Sequence, residues 1–328
     1  MIAAPLRVGV IGVGHLGSRH AQIYAKMPGV RLVAVCDVKA ARAASVARAL
    51  RCRAITEYRD LLGSVDAVSL AVPSSLHAAI GLPLLRQGIH CLIEKPLATT
   101  IPDASALIRT AEHRGGILQV GHVERFNAAI GAARSHLRHP RFIEVDRISP
   151  YPFRGTDVSV VLDVMIHDLD MLLWLVPSPI ARVESLGVAV LSASEDIANA
   201  RITFASGCVA TLTASRISEE SLRRIRVFQE DNYLSIDYQA QTVKLAHRTS
   251  RGIHRVRLPV NRRPPLQDEL AAFIHAVRTR RPPPVTGADG RAALALALRI
   301  ERTMRRARPL HKPERAESSK QKAEGRPS

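Results

Sequence analysis

Residues 6–17 read LRVGVIGVGHLG, an apolar strand followed at once by a glycine-rich turn. The turn has the spacing GxGxxG. Gly12 allows a tight bend, Gly14 lets the backbone approach a pyrophosphate, and Gly17 permits close packing of a helix against the strand. A helical stretch follows, and its N-terminus supplies unpaired N–H groups and a partial positive charge. This order of strand, turn and helix predicts a dinucleotide-binding βαβ unit.

An acidic residue ends the next predicted strand. Asp37 can accept hydrogen bonds from both hydroxyls of the adenosine ribose, and its charge repels a 2′-phosphate. The sequence therefore predicts NAD as cofactor, with NADP less favoured, and His15 and Leu16 complete the phosphate-binding turn. Lys39 and Arg42 are close enough along the chain to weaken the preference for NAD.

Strand and helix patterns alternate through the first 120 residues, among them a strand over residues 6–11 and a helix over residues 40–50, and the strands are continuous apolar runs. Such runs are typical of a parallel sheet covered on both faces. After residue 121 the pattern changes to a helix over residues 124–137, a strand, a helix over about residues 161–175, and then closely spaced, alternating strands. The predicted fold is α/β: a doubly wound Rossmann sheet plus an α+β domain with a large, mainly antiparallel open sheet. The predicted boundaries are 1–121 for the cofactor domain, 122–306 for the substrate and oligomerisation domain, and 307–328 for a basic, disordered tail.

The bulk composition excludes several classes of function. The net charge of +18 is diffuse apart from the tail, and arginine outnumbers lysine 40 to 7 without any nucleic-acid-binding motif, so no nucleic-acid partner is predicted. No apolar run reaches membrane-spanning length, and the N-terminus lacks a signal-peptide pattern. Four scattered cysteines form no CxxC pair, which favours reduced thiols and no metal site. A cytoplasmic protein is expected.

Residues 94–96 read EKP and directly follow a predicted strand. The carboxyl end of such a strand is where the nicotinamide end of a bound dinucleotide would lie, so Lys95 places a cation beside it. The glycine turn and this cation together indicate hydride transfer. Glu94 belongs to the same turn, and Val72 and Pro73 at the end of the fourth strand are positioned to line the middle of the cofactor.

These motifs, with residues 163–167 (DVMIH), resemble the Gfo/Idh/MocA oxidoreductases over nearly the whole chain, to about Arg306. Residues i and i+4 lie on one helix face, so Asp163 and His167 can point together into a cleft. The resemblance implies that His167 is the base, that Lys95 stabilises charge on the reacting oxygen, and that Asp163 orients Lys95 or the substrate hydroxyl. Whether Lys95 or His167 takes the proton stays open, because a close cluster titrates as a unit.

Three further stretches, residues 120–127, 157–163 and 212–216, resemble the bacterial UDP-N-acetylglucosamine 3-dehydrogenases. That resemblance implies oxidation of C3 to a ketone and a pathway aminotransferase that makes a 3-amino sugar for lipid A or another surface glycan. The expected substrate contacts are Arg125, Asn127, Arg154 and Arg216. Forked guanidinium donors suit a diphosphate, although a structural ion pair is an equal alternative for each arginine.

Other readings of the same sequence remain. The fold suits other sugars or polyols such as an inositol, and an NAD-dependent redox glycosidase is another alternative. A non-catalytic NAD sensor or nucleic-acid-binding protein would not need Lys95, Asp163 and His167. An open sheet also leaves one face to be covered, which favours a homodimer or homotetramer.

Overall fold

The computed structural model describes residues 4–151 and 158–307. Within these ranges, six parallel strands form the first sheet, in the order β3-β2-β1-β4-β5-β6. Its strands are β1 (Leu6–Ile11), β2 (Val30–Cys36), β3 (Arg53–Ile55), β4 (Ala67–Leu70), β5 (His90–Glu94) and β6 (Leu118–Gly121), and its helices are α1 (His15–Lys26), α2 (Ala40–Leu50), α3 (His77–Arg86) and α4 (Ile101–His113). The strand order reverses between β1 and β4, the position at which doubly wound sheets bind dinucleotides.

The second sheet contains eight strands in the described ranges, in the order β14-β13-β12-β11-β7-β10-β9-β8. They are β7 (Phe142–Ile148), β8 (Ile180–Val188), β9 (Ile197–Phe204), β10 (Val209–Ser215), β11 (Leu222–Phe228), β12 (Asn232–Asp237), β13 (Thr242–Thr249) and β14 (Gly252–Leu258). Only the β7–β10 pair is parallel among these neighbours. The predicted fold class is therefore confirmed.

Helices cover one face of the second sheet. Residues of α5 (Ala128–Arg134), α6 (Ile166–Leu175) and α8 (Gly287–Ala307) share a buried apolar core with the strands. The opposite face carries a wide groove of about 840 Å³ along β11 to β14. Oligomerisation through this face stays a prediction.

One late helix returns to the first sheet. In α7 (Pro265–Thr279), Leu270 and Phe273 are fully buried in the same cluster as Val8 and Val10 of β1. The last part of the chain therefore packs against both sheets, with α7 on the first and α8 on the second. The domain boundary at residue 121 stays a prediction. No helix within the described ranges is both long and apolar enough to cross a membrane.

Two predicted helices differ in detail from the structure. The helix expected over residues 124–137 is a 3-10 turn, Val123–Phe126, followed by α5. The break falls at Asn127, because its side chain accepts a hydrogen bond from the Ala129 N–H and caps α5. The helix expected over residues 161–175 begins with a π-helical turn, Val161–Met165, before α6. π-Helical turns are frequent at functional sites.

Candidate active site

The glycine turn has the geometry that a pyrophosphate requires. Gly12 has φ +82°, and a Cβ there would lie 2.5 Å from the Ala71 carbonyl oxygen. A Cβ at Gly17 would collide with the Gly12 carbonyl, whereas a Cβ at Gly14 would meet no described atom within 4 Å. The space beside Gly14 is thus open to a ligand, and no side chain caps the N-terminus of α1 that faces it. His15 is exposed at this N-terminus, and Leu16 lines the adjoining cavity.

Asp37 is held rigidly beside the turn. Its carboxylate accepts hydrogen bonds from the backbone N–H groups of Val13, at 3.1 Å, and Lys39, at 2.9 Å. Arg42 donates to the same carboxylate at 3.1 Å. This anchored acid fits the ribose hydroxyls of a dinucleotide.

Replacement of Asp37 by Ser is expected to weaken NAD binding roughly tenfold or more, because charge-assisted hydrogen bonds to the ribose are lost. The advantage of NAD over NADP should also narrow, since Arg42 is released from Asp37 and can meet a 2′-phosphate. Fluorescence titration with each cofactor measures both Kd values. Asp66→Ser is the matched control, because Asp66 pairs with Arg7 instead. An unchanged NAD/NADP ratio in Asp37→Ser would reject Asp37 as the ribose ligand.

The EKP turn reaches the second sheet through one side chain. Lys95 Nζ donates to the backbone oxygen of Asp163 at 2.6 Å and to its carboxylate at 3.1 Å. These bonds join the carboxyl edge of the first sheet to the π-helical turn that precedes α6. They hold the ammonium group of Lys95 at the cleft between the two sheets.

A buried histidine, His77, contacts both the segment after β4 and the EKP turn. The two ring nitrogens of His77 lie 2.9 Å from the Pro96 oxygen and 3.0 Å from the Val72 oxygen. Burial lowers the pKa of His77. The side chain therefore braces Val72 and Pro73 against the EKP turn, which supports a structural role for His77.

His167 stands at the start of α6, beside Lys95. Burial lowers its pKa well below the ordinary value, and the charges of Lys95 and Arg147 lower it further. Its imidazole is consequently neutral at neutral pH. The Nδ1 atom is buried and has no hydrogen-bond partner among the described residues. The ring of His122, whose pKa burial also lowers, lies edge-on at 6.4 Å.

An ion-pair network fixes the helix that carries His167. Arg147 on β7 donates to both oxygens of Asp168, at 2.7 and 2.9 Å, and to Glu124 at 3.0 Å. Burial opposes the charge of Arg147, but Asp168 and Glu124 raise its pKa above the ordinary value. The guanidinium stays charged and locks α6 to the sheet one residue beyond His167.

The residues expected to contact the substrate have partners within the protein itself, where the structure describes them. Arg125 makes a nearly buried two-bond ion pair with Asp170, at 2.6 and 2.8 Å. Asn127 borders the cavity, but its amide group caps α5 and donates to the Tyr238 backbone oxygen at 3.0 Å. Arg154 lies outside the described residues.

Arg216 is fully buried. It donates to the Asp196 carboxylate, to the Val158 carbonyl, and to the hydroxyls of Ser192 and Ser194, each at 2.9 Å. Substrate contact would require these bonds to break and leave a buried charge unpaired. Arg216 thus holds the loop before β9, and its expected contact with the substrate stays a prediction.

A cavity of about 470 Å³ joins these groups. Lys95 and His167 lie on its wall, together with Leu16 of the phosphate turn. Four charged residues that the sequence did not single out also line it: Arg19, Glu124, Arg223 and Glu269.

The carboxyl group of Glu269 is unpartnered among the residues that the structure describes. Both of its carboxylate oxygens are buried and have no partner in the described part of the chain. Burial raises its pKa well above the ordinary value of 4.5, and the neighbouring charges of Glu94 and Glu124 raise it further. Burial thus favours the protonated, uncharged form of Glu269.

The raised pKa of Glu269 makes the stability of the fold depend on pH. The folded protein binds the Glu269 proton more tightly than the unfolded chain does. This contribution to the free energy of unfolding is fully present below about pH 4.5. It is lost as the pH rises toward the folded-state pKa, by up to about 1.4 kcal/mol per pH unit. Glu269→Gln removes that dependence, so its melting temperature relative to the native protein should increase between roughly pH 5 and pH 8. The exposed Glu57→Gln variant serves as control. An equal difference at both pH values would contradict a protonated Glu269.

The open glycine turn, the anchored carboxylate and the Lys–Asp–His cluster at one cleft define a dinucleotide-dependent oxidoreductase. Residues 6–122 match the Gfo/Idh/MocA oxidoreductase family with its NAD-binding Rossmann fold, and residues 128–235 match the C-terminal domain of that family. The chain belongs to the Gfo/Idh/MocA family, which confirms the predicted resemblance.

Relatives with known names cover almost the whole chain. The UDP-N-acetylglucosamine 3-dehydrogenase of Acidithiobacillus ferrooxidans is 41% identical over 302 residues, which are 90% of this chain and 96% of that protein. A solved structure of that enzyme superposes with a TM-score of 0.87 at 40% identity, over 92% of this chain and 98% of the other. The myo-inositol 2-dehydrogenase of Thermotoga maritima is 24% identical over 91% of this chain and 96% of its own length.

Proposed function

We propose that this protein is an NAD-dependent dehydrogenase that oxidises the C3 hydroxyl of UDP-N-acetylglucosamine to the 3-keto sugar. The observation that carries the proposal is the contact of Lys95 with Asp163 beside His167, in a cavity that also borders the phosphate turn. The 41% identity to the Acidithiobacillus enzyme over 90% of the chain supports this choice of substrate. The anchored Asp37 supports NAD over NADP.

Each residue of the cluster has a task in this reaction. NAD, when bound at the glycine turn, supplies the acceptor of the hydride that leaves C3. Neutral His167 can take the hydroxyl proton, because its side chain lines the cavity and burial keeps its pKa low. Lys95 donates to the same oxygen and stabilises the negative charge that develops there. Asp163 orients Lys95 through two hydrogen bonds.

The 3-keto product indicates which kind of enzyme would act next. A 3-keto nucleotide sugar is the substrate that an aminotransferase needs, so we place the enzyme before an aminotransferase in the synthesis of a 3-amino sugar for lipid A or another surface glycan. We propose a cytoplasmic location, where NAD and nucleotide sugars are available. The open face of the second sheet is the surface that we propose for assembly into a homodimer or homotetramer.

A second candidate substrate is an inositol or related polyol. The relative from Thermotoga maritima, named as a myo-inositol 2-dehydrogenase, spans 91% of this chain, although at only 24% identity. The two candidates differ in charge, because a free polyol has no phosphate. Activity with myo-inositol and none with the UDP-sugar would favour this alternative.

The position of oxidation is tested with isotope-labelled substrate. UDP-N-acetylglucosamine carrying deuterium at C3 should transfer that label to the reduced cofactor, as measured by mass spectrometry. Substrate labelled at C4 should leave the reduced cofactor unlabelled and serves as the matched control. Label arriving from C4 but not from C3 would overturn the assignment to C3.

A further inference from the structure

Arg223 lies on the inner face of the second sheet. Side chains alternate along β11, so Arg223 shares a face with Ile225 and Val227. Those two residues are buried in the core beneath the helices. Arg223 is near the start of the same strand, where the sheet borders the cavity, and its side chain is exposed there. Arg223 therefore stands beside apolar side chains of its own strand, and Arg147 of β7 is its neighbour across the sheet.

The neighbouring arginines of β11 have partners. Arg226 lies 2.9 Å from the Glu144 carboxylate, and Arg224 lies 3.4 Å from the Asp146 carboxylate, both on the opposite face of the sheet. Arg223, in contrast, has no ion pair and no side-chain hydrogen bond with any residue of 4–151 or 158–307. A free guanidinium at the wall of a cavity is suited to an anionic ligand.

The other charges of the cavity leave it open to an anion. Glu124 is paired with Arg147 at 3.0 Å, and burial favours the uncharged form of Glu269. Glu94 is the remaining carboxylate of the cavity wall, and its oxygen lies 3.3 Å from the His20 ring. Arg19, on α1 at the opposite wall, is a second exposed guanidinium without an ion pair among the described residues. The cavity thus presents free positive charge together with the reactive groups.

Arg223 is close enough to the reactive groups for its charge to act on them. The pKa of His167 is lowered first by burial and then by nearby cations, of which Arg223 is one. Both side chains also line the same cavity of about 470 Å³. A single ligand can therefore place a hydroxyl at His167 and an anionic group at Arg223.

We propose that Arg223 binds the diphosphate of the substrate and so positions the sugar ring against Lys95 and His167. This inference rests on the proposed function, since a UDP-sugar carries its diphosphate next to the ring that is oxidised. It gives Arg223 the role that the sequence suggested for Arg125, Arg154 and Arg216. The planar guanidinium can donate two parallel hydrogen bonds to phosphate oxygens.

The test is calorimetric titration of UDP into full-length protein saturated with NAD. Saturation keeps UDP and pyrophosphate from the cofactor's own phosphate turn. Arg223→Gln is expected to weaken UDP binding by roughly ten- to a hundredfold, the range for loss of a charge-assisted contact, and to leave NAD affinity unchanged. Arg224→Gln is the matched control, because it removes the adjacent guanidinium from the other face of the strand. It should bind UDP as the native protein does.

The outcomes separate this inference from the proposed function. Equal UDP affinity in the native protein and in Arg223→Gln would overturn the role of Arg223 while leaving a UDP-sugar substrate in place. If the native protein does not bind UDP but binds inorganic pyrophosphate, and Arg223→Gln does not, the anion site stands and the UDP-sugar does not. Failure of the native protein to bind either probe would overturn both.

Discussion

Replacing Lys95 by Met is expected to lower kcat by on the order of a thousandfold, with NAD binding preserved. Met retains the length and apolar stem of lysine but removes the ammonium group. The reacting oxygen then loses the donor that stabilises its negative charge, and Asp163 loses its partner. Steady-state kinetics measures the loss of turnover, and fluorescence titration measures NAD affinity.

Lys26→Met provides the matched control for this experiment. Lys26 is exposed at the end of α1 and does not line the cavity that contains Lys95. The control variant should keep native turnover. Near-native kcat in Lys95→Met would remove Lys95 from the reaction, and loss of NAD binding in that variant would show that its main effect is on the cofactor.

Substitution of His167 by Asn is expected to reduce kcat/KM by roughly a hundred- to ten-thousandfold, the contribution typical of a positioned general base. Because burial lowers the pKa of His167, its imidazole remains neutral until the pH falls well below 6.5. The acid limb of kcat/KM for the native enzyme should accordingly lie below pH 6.5, and activity should fall as the pH drops through that limb. Asn cannot titrate, so the limb should disappear in the variant.

The control for His167 is His113→Asn, an exposed histidine at the end of α4. It should retain both the native rate and the acid limb. If His167→Asn keeps the acid limb at a reduced rate, another group takes the proton and Lys95 becomes the base. If it keeps the native rate, His167 has no part in the chemistry.

The first sheet could be predicted from sequence because its signals are local. The bounds of β1 and α2 agree with the prediction, since each element is a continuous strand or helix pattern between turn residues. Asp37 and the glycine turn end consecutive strands of one βαβ unit, so their proximity follows from the motif itself. Lys95 and Asp163 are 68 residues apart in the sequence. Their contact could be predicted only from the resemblance to known motifs.

The arginines show where the sequence was insufficient. Arg125 and Arg216 are held by Asp170 and Asp196, which are 45 and 20 residues away, so no local pattern revealed those ion pairs. For Arg223 the sequence did contain a local signal. Side chains alternate along a strand, so Arg223 faces the same side of the sheet as Ile225 and Val227. That signal identifies the inner face of the sheet, but the cavity beside it is formed only when the two sheets pack together.

The most direct test of the account is the growth of NADH absorbance in purified protein supplied with NAD and UDP-N-acetylglucosamine. A parallel arm adds a partner aminotransferase with its amino donor, which removes the 3-keto product and overcomes an unfavourable equilibrium. An increase in NADH is expected in at least one arm, together with a 3-amino sugar detected by mass in the coupled arm. Absence of both, in protein shown to bind NAD, would contradict oxidation of a UDP-sugar by this enzyme.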